Sequence, residues 1–317
     1  MRHPARLLSL VQTLLLGVGL GVTPTRAAAE ATPAVDLQPR WVEGRVTRYA
    51  FETQRLTDLV FEAAGQTREA RNRFTSEGEV TWRVRDVNRD GSAEAEFVYD
   101  WLRLTFENPQ GDTEVADSRR GSGDDPRLQA LVEAVAGTPL TVDMAADGSV
   151  IEIAGMDAIR RKTDFPETVP EDRDFLEAVT DQISLPAAPA DAEPGDQWQQ
   201  SFTWGHQAGD LQYDTTYTLV EVAPMAGVPV ALLRSESELD LDPTEPDVPP
   251  DGPDIETRLE SGAASAQIMF DLSRNQAVGR HESEQTVVLT SVRTPQGPLT
   301  QTTTIRVSRQ LLRIAEQ

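Results

Sequence analysis

The sequence predicts an α+β fold that is dominated by long, curved antiparallel sheet structure, with a few helices packed on it. Three observations predict this class. Segments of alternating apolar and polar residues recur along the chain, glycine- or proline-containing turn sequences separate them, and segments with helical spacing are few. Alternation with a period of two is typical of a strand with one buried face, whereas apolar residues spaced by three and four indicate a helix. At this stage one continuous sheet and two separate sheets both remain open.

Length and composition favour a globular protein with a full core. The chain has 317 residues, 38% of them hydrophobic and 26% charged, which lies in the range of folded soluble proteins. It contains no cysteine, so a disulfide scaffold, a thiolate zinc site and a catalytic thiol are excluded. The net charge of −23 opposes binding to nucleic acid, which needs a basic surface, and docking on anionic membranes.

Residues 1–31 have the features of a secretory signal peptide. Arg2 and Arg6 supply the positive charge, an apolar stretch follows, and small residues surround the cleavage positions Ala29 and Ala31. The apolar stretch is shorter than the roughly 20 residues that a membrane-spanning helix needs. We therefore expect cleavage after Ala29 or Ala31, export to the periplasm or the extracellular space, and no membrane insertion afterwards.

A first β-rich half is expected over residues 41–185, after a proline-containing tether at 32–40. Its clearest strand signal lies at 80–106, where two alternating segments flank the dipeptide Asp90-Gly91. Glycine at this position supplies the positive φ that a tight hairpin turn requires. The segment therefore predicts a β-hairpin.

The same half contains the helical signals. Helices are predicted at about 126–136, 155–162 and 171–184, and Pro126 marks the start of the first because proline is favoured at the first helical position. A second hairpin is predicted at 140–153, around another Asp-Gly step. We expect the helices to pack on the sheet.

A proline–alanine linker at 186–195 precedes a second β-rich half at 196–317. A loop at 240–256, rich in proline and acidic residues, is expected to be solvated. Residues 82–87 and 217–222 have similar patterns, which leads to the hypothesis that the two halves arose by duplication. Alternation predicts the strands of the second half at 213–222, 228–239, 264–272, 278–292 and 300–314.

Residues 86–91 match the beginning of a calcium-binding loop. The complete loop needs a bidentate glutamate at its twelfth position, and that position holds Phe97. A hairpin turn is therefore the preferred interpretation.

Residue patterns typical of catalysis are weak. A hydrolytic triad around His206 would have to use Ser201 and Asp210. One around His281 would have to use Ser283 and Glu282, and the sequence has no Gly-x-Ser-x-Gly elbow. It also has no glycine-rich phosphate loop. We therefore expect a protein that is not an enzyme and that binds no metal and no cofactor.

Aromatic residues that alternate along two strands are the candidate ligand contacts. They are Phe97, Tyr99 and Trp101 in the first half, and Trp198, Phe202 and Trp204 in the second. Alternation is expected to place each set of three on one face of its strand. Such a face either belongs to the core of the sheet or lines a groove that holds a lipid, another hydrophobic ligand or a stacked sugar. The sequence does not separate core from groove, because both need the same apolar face.

Four short motifs carry a family resemblance. The first begins at Trp41 and consists of Trp-x-x-Gly followed by Tyr-x-Phe, and the second is the hairpin motif at 82–93. The third is Thr-Val-x-Met-x-x-Asp-Gly-x-Val at 141–150, and the fourth is Gly-Asp-x-Trp at 195–198. With them the layout resembles a family of uncharacterised secreted proteins common in planctomycete-type bacteria, which implies no catalytic residue. The layout is also similar, at the level of the fold alone, to periplasmic lipoprotein carriers.

The leading hypothesis is an exported, non-enzymatic binding protein that holds a lipid or another apolar ligand against a curved sheet. The alternative is a structural or protein-interaction module of the cell envelope. The expected partner is accordingly an apolar small molecule or an envelope protein.

Overall fold

The structure is a computed structural model, and the residues it describes are 34–163, 188–206, 209–243, 254–294 and 297–316. The predicted signal peptide, the helix predicted at 171–184 and most of the acidic loop lie outside the described residues.

The described residues form twelve strands in one open, curved antiparallel sheet. The strands are β1 (Val46–Ala63), β2 (Gln66–Val87), β3 (Ala93–Glu107), β4 (Thr113–Asp117), β5 (Leu140–Met144), β6 (Val150–Ala154), β7 (Gln197–His206), β8 (Gly209–Met225), β9 (Val228–Pro243), β10 (Asp254–Asp271), β11 (Gln276–Thr294) and β12 (Gly297–Glu316). Their order across the sheet is β6-β5-β3-β2-β1-β12-β11-β10-β9-β8-β7, and β4 also pairs with β3. The first and last strands therefore meet in the middle of the sheet, and the question of one sheet or two is resolved in favour of one.

Both hairpins of the first half are confirmed. The turn between β2 and β3 has Gly91 at a φ of 87°, and its N–H donates to the carbonyl of Asn88. The turn between β5 and β6 repeats this arrangement at Gly148, with a φ of 89°. Positive φ is accessible to glycine without a steric penalty, so these turns form where the Asp-Gly steps predict them.

Two of the predicted helices are confirmed, as α1 (Pro126–Val135) and α2 (Met156–Lys162). The carboxylate of Asp125 caps α1 by accepting hydrogen bonds from the N–H groups of Arg127 and Leu128. Val132 of α1 and Ile159 of α2 are fully buried against the sheet. The helices therefore cover the apolar face of the first half, as expected.

Strand structure reaches into both ends of the predicted acidic loop. β9 continues to Pro243, and β10 begins at Asp254. Leu239 and Leu241 are buried, whereas Asp240 between them is exposed. The alternation of a strand thus continues through acidic residues that give the segment the composition of a loop.

One face of the sheet, here called the core face, carries three apolar clusters. The first cluster includes Tyr49, Phe97 and Leu140 and lies on β1–β6 under the two helices. The second includes Leu219 and Leu233 on β8 and β9 and continues onto β10. The third lies beside it and comprises Leu211, Tyr213, Leu239, Leu241 and Val288. The opposite side is called the outer face.

The segment before β1 packs against the second half of the sheet. Val35 forms a β-bridge with Ala192, and Leu37 is completely buried in the second cluster. The side-chain amide of Asn275 donates to the carbonyls of Asp36 and Gln38. The structure thus places residues of the predicted tether and of the predicted linker together in the core.

Candidate functional site

Phe97 and Tyr99, two of the predicted ligand contacts, are core residues. Both are buried, and their rings meet edge to face with centroids 5.0 Å apart. Phe51 makes a similar edge contact with Tyr99 at 5.7 Å. Burial raises the pKa of the Tyr99 phenol, so this side chain stays neutral in the physiological range. Of the two interpretations that the sequence left open for this strand, packing explains these two residues.

Trp101 does not share a face with Phe97 and Tyr99, so this part of the prediction is wrong. Tyr99 pairs with Val80 of β2, but the next pair is Trp101 with Glu79, and Asp100 has no partner in the ladder. This β-bulge adds one residue to β3 and reverses the alternation after it. Trp101 therefore lies on the outer face, where the guanidinium of Arg119 stacks 3.7 Å from its ring centroid.

The aromatic residues of β7 have a different environment, because β7 is an edge strand of the sheet. Trp198 stacks on the buried Tyr217 with centroids 5.4 Å apart, and Phe202 stacks on the buried Tyr213 at 4.7 Å. Trp198 and Phe202 are themselves only half-buried. Both lie on the core face, as their shared parity predicts. The side chain of Trp204 lies outside the described residues.

Two buried polar atoms on β7 have no hydrogen-bond partner among the described residues. They are the donor Nε1 of Trp198 and the acceptor Oε1 of Gln200, which is the next residue along the core face. An unsatisfied buried polar atom is unfavourable and uncommon in folded proteins. A donor and an acceptor two residues apart on the same face could be satisfied together by one hydroxyl or amide group.

The third cluster is an apolar surface with a partly exposed margin. Leu211 and Tyr213 are buried at its centre, whereas Phe202, Leu259 and Ala264 are only partly buried around it. Next to it, β10 contributes small residues to the core face, among them Gly262. This surface has the apolar lining that a hydrophobic ligand requires.

Charged residues occupy the core face between the first cluster and the other two. This group, here called the ionic band, comprises Arg55, Arg280, Glu282, Glu284 and Arg309. Arg309 pairs with both Glu282 and Glu284, and the Arg280–Glu282 pair measures 2.5 Å. Burial opposes ionisation of Glu282, but the charges and hydrogen bonds of Arg280 and Arg309 outweigh it and lower its pKa. Glu282, although buried, therefore remains charged.

Sequence reasoning missed the ionic band, although its signal is visible. In the segment Arg280-His-Glu282-Ser-Glu284 the charged residues occupy every second position, which is where a strand places apolar residues toward its core. The strand predicted at 278–292 includes this segment, but the prediction does not specify a charged buried side.

A groove of about 660 Å³ crosses the middle of the sheet. The register places most of its lining side chains on the outer face, in two neighbouring cross-strand rows. The rows are Gln54, Ser308, Ser283, Ser265 and Glu236, and Arg73, Leu56, Arg306, Gln285 and Ala263. Most of the side chains that line the cavity are therefore polar, and they lie on the side opposite the apolar clusters.

The remaining chemical candidates of the sequence do not form sites. At the calcium-like segment, the Asp90 carboxylate accepts hydrogen bonds from the N–H and hydroxyl of Ser92 within the hairpin turn. Glu282 lies on the core face, whereas His281 and Ser283 lie on the outer face, so these residues do not converge as a triad. Across the described ranges, no cluster of His, Asp and Glu side chains could hold a metal ion, and no described helix is long and apolar enough to cross a membrane.

Sequence comparison gives one family match. A family described as "Family of unknown function (DUF6263)" matches residues 90–185, which is less than half of the chain. No curated protein matches the sequence.

Several solved structures are similar at low identity. A lipovitellin structure on lipid–protein interactions is 14% identical with a TM-score of 0.49, covering 88% of this chain and 26% of that chain. The chain thus spans about a quarter of that protein. DynF from the dynemicin biosynthesis pathway of Micromonospora chersina is 10% identical, covers 92% of each chain and has a TM-score of 0.18. A putative outer membrane lipoprotein-sorting protein domain from Vibrio parahaemolyticus is 7% identical, covers 84% of each chain and has a TM-score of 0.15.

Proposed function

We propose that this is an exported, non-enzymatic binding protein that holds a lipid or another apolar ligand against the core face of its curved sheet. The observation that carries the proposal is the margin of the third cluster. Phe202 stacks on Tyr213 there, yet Phe202 and Leu259 keep part of their apolar surface exposed. Apolar side chains arranged continuously around a partly open surface favour a hydrophobic ligand.

The unsatisfied atoms of β7 support the same location. Trp198 Nε1 and Gln200 Oε1 lie on the core face, as does Phe202. A ligand with one hydroxyl or amide group and an apolar body would satisfy both atoms and cover the exposed ring surface. The proposed site therefore comprises the β7 edge and the third cluster, and it no longer includes Phe97, Tyr99 or Trp101.

Native mass spectrometry tests this function. The protein is purified from a host that exports it, and its mass is recorded before and after extraction with organic solvent. We expect an additional mass that solvent removes, and a smaller bound fraction in a Phe202→Asp variant. Ile151→Asp is the matched control, because Ile151 is 62% exposed on the distant strand β6. If the measured mass equals that of the protein alone, and the protein also binds no added alkyl ligand, the proposal is contradicted.

A second candidate function is a protein-interaction module of the cell envelope. Among the described strands, β6 and β7 are the edges of the sheet, and this favours it because an edge strand can pair with a strand of another chain. Crosslinking in the exporting host distinguishes the two functions. A specific envelope partner crosslinked through β6 or β7, with no extractable ligand, would favour the interaction module.

A further inference from the structure

Arg55 is the one member of the ionic band that forms no ion pair or hydrogen bond with the described protein. It lies on the core face of β1, opposite Val307 of β12. Glu284 attracts it electrostatically without an ion pair, and Arg309 repels it. Burial lowers the pKa of Arg55 despite its exposed surface, so the guanidinium is accessible but incompletely hydrated.

The charges of the ionic band do not balance. Arg280 and Arg309 neutralise the two glutamates with which they pair. The positive charge of Arg55 is therefore not neutralised by a glutamate of the ionic band. Arg55 lies on the face of the sheet that carries the apolar clusters. A guanidinium with free donors in such a position is well suited to bind a carboxylate or phosphate through paired hydrogen bonds.

Apolar side chains connect Arg55 to the third cluster. Val307 is paired with Arg55, Ile305 is the next core-face residue on β12, and Val288 belongs to the third cluster itself. All three are buried. Three strand spacings, about 14 Å, separate β1 from β10. An extended alkyl chain can span this distance from the guanidinium to Ala264, at the partly exposed margin of the third cluster.

We propose that the ligand is an amphiphile with one oxyanion headgroup, a carboxylate or a phosphate, which Arg55 binds while the alkyl chain lies on the third cluster. This inference rests on the proposed function, because it identifies the class of ligand for the same face. The net charge of −23 still opposes docking on an anionic membrane surface. It does not prevent binding of a single anion next to a local surplus of positive charge.

Isothermal titration with three probes of equal chain length tests the proposal. The probes are oleate, oleyl phosphate and oleyl alcohol, and the proteins are the full secreted chain and its Arg55→Gln variant. We expect the variant to bind the two anions about tenfold to a hundredfold more weakly, the range typical of a charged hydrogen bond. Its affinity for oleyl alcohol should stay unchanged. A loss for only one of the anions would identify the headgroup.

Arg306→Gln is the matched control. Arg306 lies on β12 one residue from Val307 but on the outer face, where it pairs with Asp58. Equal losses of affinity for the anions in Arg306→Gln and Arg55→Gln would overturn the proposal, because they would indicate a general effect of protein charge. Unchanged affinity for all three probes in Arg55→Gln would overturn it while leaving the proposed function intact. If the unmodified protein binds none of the probes, both the proposed function and this inference fail.

Discussion

Gly78 lies where the strands of the first cluster leave no space for a side chain. A Cβ atom at this position would overlap with the carbonyl oxygen of Trp101 and stand 2.7 Å from Cε1 of Phe51. Gly78→Ala should therefore lower the free energy of unfolding by about 1–3 kcal/mol through overpacking. Urea denaturation measures this change, with Ser76→Ala on the same strand and face as the control. Equal stability of Gly78→Ala and the parent protein would show that both the backbone at Trp101 and the ring of Phe51 can move aside.

Asp271 is a fully buried carboxylate whose charge is held by its neighbours. Burial opposes the charged form, but hydrogen bonds from Ser273 and Arg313 outweigh it and lower its pKa to about 2. Since this pKa lies below the unfolded value, the stabilisation is complete above about pH 4 and is lost as the pH falls toward 2.

Asp271→Asn should therefore lower the free energy of unfolding at pH 7 by about 2 kcal/mol. The difference from the parent protein should shrink as the pH falls from 4 to 2, because the parent protein then loses the same charge. Urea denaturation across this pH range measures it, and Asp191→Asn at an exposed position is the control. A difference that does not change with pH would show that lost hydrogen bonds, rather than charge, cause the destabilisation.

Single residues also mark the limit of prediction from sequence. The parity of Trp198 and Phe202 was predicted correctly, because β7 and β8 pair without interruption. Trp101 was misplaced, because the bulge at Asp100 depends on how β3 pairs with β2, and that register is not contained in the β3 sequence. Alternation therefore predicts which face of the sheet a residue occupies only within a part of a strand that contains no bulge.

At the scale of elements, part of the core-face contact between β11 and β12 is made by charged side chains. Glu282 is central, because it pairs with both Arg280 and Arg309. Glu282→Ala should reduce the free energy of unfolding by about 3–5 kcal/mol, since it leaves two largely buried guanidinium groups without this carboxylate.

The double variant Glu282→Leu/Arg280→Met should be less destabilised than Glu282→Ala. It removes one acid and one base together and keeps the 3.2 Å pair between Arg309 and Glu284. Replacing a buried ion pair by apolar residues of similar volume is often neutral. Thermal and urea unfolding of both variants measure the order, and a double variant less stable than Glu282→Ala would indicate that the charges fix the pairing of β11 with β12.

Elements with local signals were predicted well, and elements that depend on distant pairing were not. The Asp-Gly turns, Pro126 and the alternating segments lie within a few residues of the structures that they specify. The arrangement of β1 beside β12 depends on residues at opposite ends of the chain, so no local pattern contains it. The same reason explains why the ionic band, built from β1, β11 and β12, was not predicted as a site.

At the scale of the whole molecule, the pairing of β1 with β12 joins the two halves that the sequence pattern separates. The ladder is continuous from Thr47 to Ala63 apart from one bulge, and the segment around Leu37 adds a second connection. A boundary inside a continuous sheet would expose two long unpaired edges, which is unfavourable. We therefore expect the described sheet to unfold as one cooperative unit.

Hydrogen exchange in a destabilised variant tests this expectation. Leu219 is completely buried in the second cluster, and Leu219→Ala should cost about 2–5 kcal/mol. In a cooperative sheet the slowest amides of β2 and β3 lose as much protection as those of β8 and β9, although they lie in the other half. Val220→Ala is the control. The Val220 side chain, next to Leu219 in the sequence, is 45% exposed, so its truncation should change the protection of the amides little. Unchanged protection of β2 and β3 in Leu219→Ala would mean that each half has its own stability, and the boundary predicted at 186–195 would then separate two folding units.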